Sequence, residues 1–363
     1  MSAPAAELAG ADPGDLLRCP QCFAANLAVA ADGRLCCGAC SAAFAGDAET
    51  GAYSLIADAS LGTIKDDIQK WWGDLYRQRY AGHEDGLDAA SLGRRLDKLE
   101  DLFRRRRHLA AVEMPLDDLT GATVLEIGSG AGAHAALFAR HGASVVAIDI
   151  TPERVAATAR KLALVPESRG RAYHADAENL PFRDAAFDVV YSNGVLHHSE
   201  DTERCINEVQ RVLKPGGRAV IMLYARHSAA FWLNIVPRAL ITGELFRWPE
   251  AQWIGRLTEG KPAFGTTRNP ITRVYSRRAI AKLFGAFTVS RLRKSSFQFD
   301  NMAIPRLTQM RMAALGILGH RAHPGGTLVY GAPFMAETPL ELWLGKFIGF
   351  SWNIVAEKND QTP

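Results

Sequence analysis

Between residues 59 and 118 the apolar side chains recur at helical spacing. Trp71, Trp72, Leu75 and Tyr76 make one stripe, and Leu92, Leu96, Leu99, Leu102 and Phe103 another. Gly82 to Asp88 reads as the loop between two helices. From Thr120 the period changes. Thr123 to Ile127 is a short β-rich run that ends in glycines, and Ala133 to His141 is helical up to Gly142. Ser144 to Ile148 predicts a second strand, and Pro152 to Leu164 a helix with proline in its first turn. Arg171 to His174 and Asp188 to Ser192 read as strands three and four. Thr202 to Leu213 is a helix closed by Pro215-Gly216-Gly217, and Arg218 to Tyr224 is strand five. Strands alternating with helices at this spacing imply βαβ units and a parallel sheet. After residue 225 the rhythm stops. Residues 225–275 are aromatic-rich. Ser276 to Phe284 then reads as a helix, and Phe287 to Arg293 and Ser351 to Glu357 as strands around a partly helical insert at about 300–349.

Composition narrows the class. The apolar share of 48% and charged share of 22% exclude a disordered, collagen-like or coiled-coil chain. Residues 1–15 are small, acidic and aperiodic, and are expected to be a disordered tail. No stretch reaches the roughly 18 apolar residues of a membrane span. The N-terminus carries Glu7, Asp12 and Asp15 without the basic and apolar regions of a secretory signal, so a cytoplasmic location is expected. With 42 basic against 39 acidic residues, no global polycation exists, and nucleic-acid binding would need a local patch.

Five of the six cysteines lie between residues 19 and 40. Cys19-x2-Cys22 and Cys37-x2-Cys40, fourteen residues apart, form two knuckles that aim four soft thiolates at one point. A tight cluster in a chain without a signal points to metal, with a redox pair as the other reading. Cys36 is a spare. Four thiolates saturate a tetrahedral Zn²⁺ and leave no open position, so the zinc is expected to be structural. The segment 16–58, with a hairpin and a short strand near Tyr53 to Ile56, resembles a zinc ribbon.

Val124 to Gly132 (VLEIGSGAG) is a strand running into a glycine turn that opens a helix, where backbone N–H groups can approach a ligand closely. About twenty residues on, Asp149 ends the next strand, where a carboxylate accepts from ribose hydroxyls. Gly128-x-Gly130-x-x-Ala133 also satisfies the loose dinucleotide pattern, so the loop alone leaves a methyl-donor and a dinucleotide site open. Further motifs follow. Asp176-Ala177-Glu178 precedes Leu180-Pro181-Phe182, Phe187-Asp188-Val189-Val190 leads to Asn193-Gly194-Val195-Leu196-His197-His198, and Glu208 to Gly217 (EVQRVLKPGG) precedes strand five. In this register the sequence resembles the class I S-adenosylmethionine-dependent methyltransferases, over about residues 120–224 and the closing strands.

The resemblance implies an α/β fold: a Rossmann-like seven-stranded sheet with flanking helices, here preceded by the small zinc ribbon and a helical cap at 59–118. It implies that Gly128, Ser129, Gly130 and Gly132 pass beneath the amino-acid part of S-adenosylmethionine, with Glu126 holding the loop and the ammonium. Asp149 would bind the ribose and Ile150 the adenine face. Asp176 and Ala177 would meet the adenine edge, and Asn193 and Gly194 would line the methionine side. Trp72, Tyr76 and Tyr80 are either a lid over the cofactor or a core stripe.

A sulfonium methyl needs only an aligned nucleophile, and a base where that nucleophile holds its proton. His197 and His198, just past Asn193, are the candidate bases, or else orient their loop. Trp232 and its aromatic neighbours suggest a pocket for a hydrophobic small-molecule acceptor, taking O- or C-methylation, or a shallow membrane contact with Arg238 and Arg247 at headgroups. Arg268, Arg273 and Tyr275 are candidates for an acidic group on the acceptor, and Ser276 is the expected N-cap of the helix that follows. Two other functions fit parts of the sequence. An RNA-modifying enzyme would grip RNA with the ribbon and Arg104-Arg105-Arg106-Arg107, yet that run reads first as a solvated helix end, and the ribbon holds Asp32, Asp47 and Glu49 against Arg34. A non-catalytic binding module conflicts with the intact glycine loop and Asp149.

Overall fold

A computed structural model describes residues 16–47, 50–56, 62–83, 87–258, 268–302 and 304–359. The acidic segment 1–15, expected to be disordered, lies outside them. The chain opens with a three-stranded antiparallel meander, β1 (Leu27–Val29), β2 (Leu35–Cys37) and β3 (Ala43–Phe44), followed by the two-residue β4 (Tyr53–Ser54). Helices α1 (Thr63–Arg79), α2 (Ala89–Arg105) and α3 (Leu109–Val112) lead to the alternating region: β5 (Thr123–Ile127), α4 (Ala133–Arg140), β6 (Ser144–Asp149), α5 (Pro152–Leu164), β7 (Arg171–His174), β8 (Phe187–Asn193), α6 (Thr202–Val212) and β9 (Leu213–Tyr224). The aromatic-rich segment contains a π-helical turn (Phe231–Ile235), α7 (Val236–Thr242), α8 (Glu244–Arg247) and α9 (Glu250–Thr258). Then come α10 (Arg277–Leu283), β10 (Phe287–Ser295), α11 (Leu307–Ile317), α12 (Thr327–Tyr330), α13 (Pro339–Ile348) and β11 (Ser351–Lys358). Ser276 caps α10 as expected, its hydroxyl accepting from the Ala279 N–H at 3.2 Å.

The main sheet has the order β10-β11-β9-β8-β5-β6-β7-β4. β11 alone runs opposite to the other seven strands. All seven expected strands are present, and β4 adds an eighth in parallel pairing with β7, Tyr53 opposite Tyr173 and Ser54 opposite His174. Strand order reverses at β5 and β8, and a crevice opens beyond the carboxyl ends of those strands.

The ribbon is not a bead on a linker. Leu17, Leu35, Phe44 and Leu55 are buried in the same cluster as Phe182, Phe187 and Leu196 of the sheet layer. Leu17 bridges Phe182, the Arg183 Nε donates to the Leu17 carbonyl at 3.1 Å, and Arg18 pairs with Glu208 at 3.2 Å. The sheet thus supplies the core that a small ribbon cannot build for itself.

The arginine run is a solvated helix end only in part. Arg104 and Arg105 pair with Glu100 and Asp101 one turn back. Arg106 is buried instead: it donates to the Tyr330 hydroxyl and to Glu337 (2.9 Å), and lies 4.4 Å over the Phe334 ring. It pins the 300–349 insert to α2, so Arg106 is withdrawn from the exposed run, whereas Arg104, Arg105 and Arg107 stay at the surface.

Candidate functional site

One deep cleft lies beyond the carboxyl ends of β5, β6, β7 and β8, and α1 and α12 wall its outer side. The glycine turn forms its floor, and two of its glycines are required for different reasons. Gly128 has φ +76°, and a Cβ there would lie 2.3 Å from the Val195 side chain, so only glycine lets the β8 loop close against it. Gly130 has φ +56° and nothing nearer to a Cβ than the tip of Arg154 at 3.7 Å, so its face is open to the cleft. Gly132 does not line the cleft. It packs against Thr158, where a Cβ would come within 2.6 Å of a backbone atom, so its part is helix packing, not passage beneath a ligand.

Asp149 fastens this turn. One carboxylate oxygen accepts from the Gly130 N–H at 3.0 Å and the other from Thr151 at 2.9 Å. Each oxygen has two lone-pair sites, so acceptor capacity remains for hydroxyls in the cleft. Ile150, Ala177, Asn193, Gly194 and Ser129 all line the same cleft. Asp176 lines it too, but with company the sequence did not reveal. Lys65 on α1 sits 2.6 Å from Asp176 and 2.9 Å from Glu178. Burial opposes the ammonium charge, yet the two carboxylates outweigh it and raise the Lys65 pKa. Lys65, Ile68 and Trp72 all face the cleft, as does Tyr80, whereas Tyr76 is core. Leu328 and Val329 complete the wall, and the Tyr80 hydroxyl donates to the Val329 carbonyl at 3.0 Å.

At the inner end Glu126 is buried, and burial followed by the nearby Asp149 charge raises its carboxyl well above the usual range. Its Oε2 has no hydrogen-bond partner among the described residues. His134, 3.7 Å away, is held down to about 4 by burial and is neutral near pH 7. A buried carboxyl with an orphaned oxygen, beside the neutral His134 and the like charge of Asp149, is a ready seat for a cationic ligand group.

The histidine pair divides. His198 lines the cleft, its ring edge-on to Trp72 at 5.2 Å. Its Nδ1 lies 2.9 Å from the Asn269 amide nitrogen, 3.0 Å from the Thr272 hydroxyl and 3.1 Å from the Ile271 carbonyl. His197 does not reach the cleft: it is fully buried and its ring packs on Tyr224 at 3.9 Å. Both His197 ring nitrogens lack a hydrogen-bond partner among the described residues, and burial followed by neighbouring His198 holds its pKa well below 6.5. Its folded pKa is therefore depressed, and the unfolded chain binds the proton first as pH falls. Stability is full above the unfolded value and is lost below about 6.5, by up to about 1.4 kcal/mol per pH unit. We expect thermal melts to show that acid-side loss, with a shallower slope in His197→Phe. An identical slope in the variant would remove His197 from the account.

The remaining candidates stand apart from the cleft. Arg273 spends its guanidinium on the Ser199 and Glu200 carbonyls, clamping the loop that follows His198. The Tyr275 backbone bridges to Tyr224 and Arg226, and its carbonyl accepts from the Trp352 indole at 2.8 Å. Arg268 and Trp232 do not line the cleft either, and Trp232 is half-exposed on the outer side of the aromatic segment, whose own small core is Phe231, Ile235, Ala239 and Trp253.

At the ribbon the sulfurs of Cys19, Cys22, Cys37 and Cys40 all lie within 4.8 Å of one another, and Cys36 is outside the group. Cys19 to Cys40 is 3.7 Å and Cys22 to Cys37 is 3.6 Å. A tetrahedral zinc with Zn–S bonds of about 2.3 Å requires S···S of about 3.8 Å.

Residues 125–221 match the family described as "Methyltransferase domain". A Mycobacterium sp. (strain JLS) protein described as an uncharacterized methyltransferase is 39% identical over 114 residues, which are 31% of this chain and 41% of that one. A demethylmenaquinone methyltransferase of Clavibacter sepedonicus is 38% identical over 103 residues, 28% of this chain and 41% of that one. That of Thermobifida fusca (strain YX) is 27% identical over 219 residues, 60% of this chain and 89% of that one. The chain spans 41–60% of the length of the first relatives it matches.

Proposed function

We infer that this chain, which carries a class I S-adenosylmethionine-dependent methyltransferase domain, transfers the methyl group of that cofactor to a small hydrophobic acceptor at oxygen or carbon. The observation that carries this reading is the open face of Gly130, pinned by Asp149, beside the buried Glu126 with its orphaned oxygen. Glu126 would take the ammonium of the amino-acid moiety, Asp149 the ribose hydroxyls and Ile150 the adenine face. Asp176 and the Ala177 backbone would take the adenine edge, with Lys65 closing α1 over it. Asn193 and Gly194 would flank the methionine side.

When bound, the cofactor supplies a methyl group already activated as a sulfonium, which leaves behind a neutral thioether. The protein has to orient the acceptor and exclude water, and orientation alone is worth about 7–11 kcal/mol of barrier. The apolar lining of Ile68, Trp72, Leu196, Leu328 and Val329 suits a hydrophobic acceptor. His198 would be the group that takes a proton. Its Nδ1 can donate to the Ile271 carbonyl at 3.1 Å, which leaves the lone pair on Nε2, or accept from the Asn269 amide at 2.9 Å, which puts the proton on Nε2, and the base role requires the first tautomer. We expect His198→Ala to lower kcat by about a hundredfold or more while S-adenosylhomocysteine affinity stays within about twofold of wild type, as measured by labelled-methyl transfer and calorimetry. Unchanged turnover would remove His198 as the base.

Structural zinc belongs to the same proposal. The four-sulfur geometry suits a closed tetrahedral ion, held by Cys19, Cys22, Cys37 and Cys40, with no step of the reaction passing through it. The RNA reading loses Arg106, which Glu337 holds in the interior, and keeps only surface arginines that Glu100 and Asp101 partly neutralise.

A further inference from the structure

We propose that α11 and α13 form a docking face for an anionic lipid surface, and that the protein works while resting on one. This goes beyond the methyl-transfer reading and does not depend on it. Both helices are inside out. The buried positions of α11 are Arg311 and Leu315, whereas Met310 and Ile317 project outward, as does Leu318 at its end. In α13 the buried positions are Glu341 and Gly345, whereas Leu340, Trp343 and Phe347 project outward. Ile317 is 86% exposed, Leu318 73% and Phe347 60%. The charges face inward because they satisfy each other: Arg311 Nε and Nη2 meet the two Glu341 oxygens at 2.7 and 2.8 Å, and Glu341 also accepts from the Phe299 N–H at 2.9 Å. A water-facing helix pair turns its charges out and its leucines in. This reversal in two helices joined by a buried ion pair is what an apolar environment on the outer side demands.

Charge identifies that environment. Residues 301–350 contain only two acids, Glu337 and Glu341, and both are buried against Arg106 and Arg311. The exposed charges of the segment are Arg306, Arg321 and Lys346, all positive. Aliphatic and aromatic side chains with Trp343 among them, rimmed by cations and free of exposed acid, match the interface of an anionic bilayer. The same insert supplies Leu328 and Val329 to the cleft wall, so one segment carries both the outer apolar face and part of the cleft. Among the described residues no helix is long and apolar enough to cross a membrane, so the contact is peripheral.

The test is co-sedimentation of the full chain with phosphatidylcholine vesicles and with phosphatidylcholine–phosphatidylglycerol vesicles, at low and high salt, alongside size-exclusion light scattering. Three lysine or arginine contacts predict a preference for the anionic vesicles of about a hundredfold, which salt should erode. Ile317→Glu with Phe347→Glu should abolish sedimentation at an unchanged melting temperature. Arg321→Glu with Lys346→Glu should abolish the anionic preference. The proposal fails if wild-type protein stays in the supernatant with both vesicle types, or if neither double variant changes the partition. It also fails if light scattering shows a dimer that Ile317→Glu with Phe347→Glu dissociates, because a second copy would then cover the face.

Discussion

Asp149→Ala should weaken S-adenosylhomocysteine binding by about a hundredfold or more, corresponding to about 3 kcal/mol. The loss has two sources. The carboxylate is the proposed acceptor for the ribose hydroxyls, and charged acceptors give hydrogen bonds of about 1.5–3 kcal/mol. It also holds the Gly130 and Thr151 N–H groups at 3.0 and 2.9 Å, so its removal releases the turn whose open face the cofactor is proposed to use. Asp149→Asn should retain part of the affinity, because its amide offers one acceptor where the turn needs two. Calorimetric titration of both variants checks this. Affinity within about threefold of wild type for Asp149→Ala would move the cofactor away from this loop.

The second large effect is expected at the ribbon. Wild-type protein should contain one equivalent of zinc, and Cys37→Ser should lose it, whereas Cys36→Ser should retain it. Burial pushes the Cys19 thiol up to about 12, so a cation bound there has to displace its proton. Without the ion, Cys19–Cys40 and Cys22–Cys37 meet at 3.7 and 3.6 Å and all four sulfurs stay within 4.8 Å, with only weak thiol contacts between them. Because Leu17, Leu35, Phe44 and Leu55 belong to the main core, metal loss should not simply free a tail. It should uncover the β7 edge and Phe182, cost at least about 3 kcal/mol of stability, well below the roughly 10–16 kcal/mol measured for isolated zinc fingers, and open residues 16–56 to protease. Metal analysis, thermal melting and limited proteolysis read these out. A stable, protease-resistant Cys37→Ser protein would show that hydrophobic packing alone secures the ribbon.

The parallel sheet was legible because β-rich runs, glycine turns and amphipathic helices agree with one another at every step from Thr123 to Tyr224. The cysteine spacing likewise separated Cys37 from Cys36, and the four-sulfur cluster contains Cys37 and leaves Cys36 out. What escaped follows a common cause: side chains whose partners lie far along the chain. Lys65 reads as an exposed charge on a helix, and only its approach to Asp176, 111 residues away, makes it part of the cleft wall. The spacing Lys65, Ile68 and Trp72 (i, i+3, i+7) was the available signal for that face. Arg106 sits in a run of four arginines and is buried by Glu337, 231 residues on. β4 is two residues long, too short for any period to mark its pairing with β7. Arg273 looked like a substrate group by type, but its guanidinium serves the Ser199 and Glu200 carbonyls of the loop after His198, and the Tyr275 side chain meets Thr202 outside the cleft lining. α11 misleads most, because its apolar stripe points away from the core.

The central claim is that the cleft after β5 holds S-adenosylmethionine. Calorimetric titration of the purified chain with S-adenosylhomocysteine, with NADH as the parallel titrant, tests it most directly. The account predicts saturable one-to-one binding of S-adenosylhomocysteine and no heat from NADH. Binding of NADH instead, or of neither, would contradict it, because the turn from Gly128 to Gly130 and the Asp149 carboxylate would then serve a different ligand.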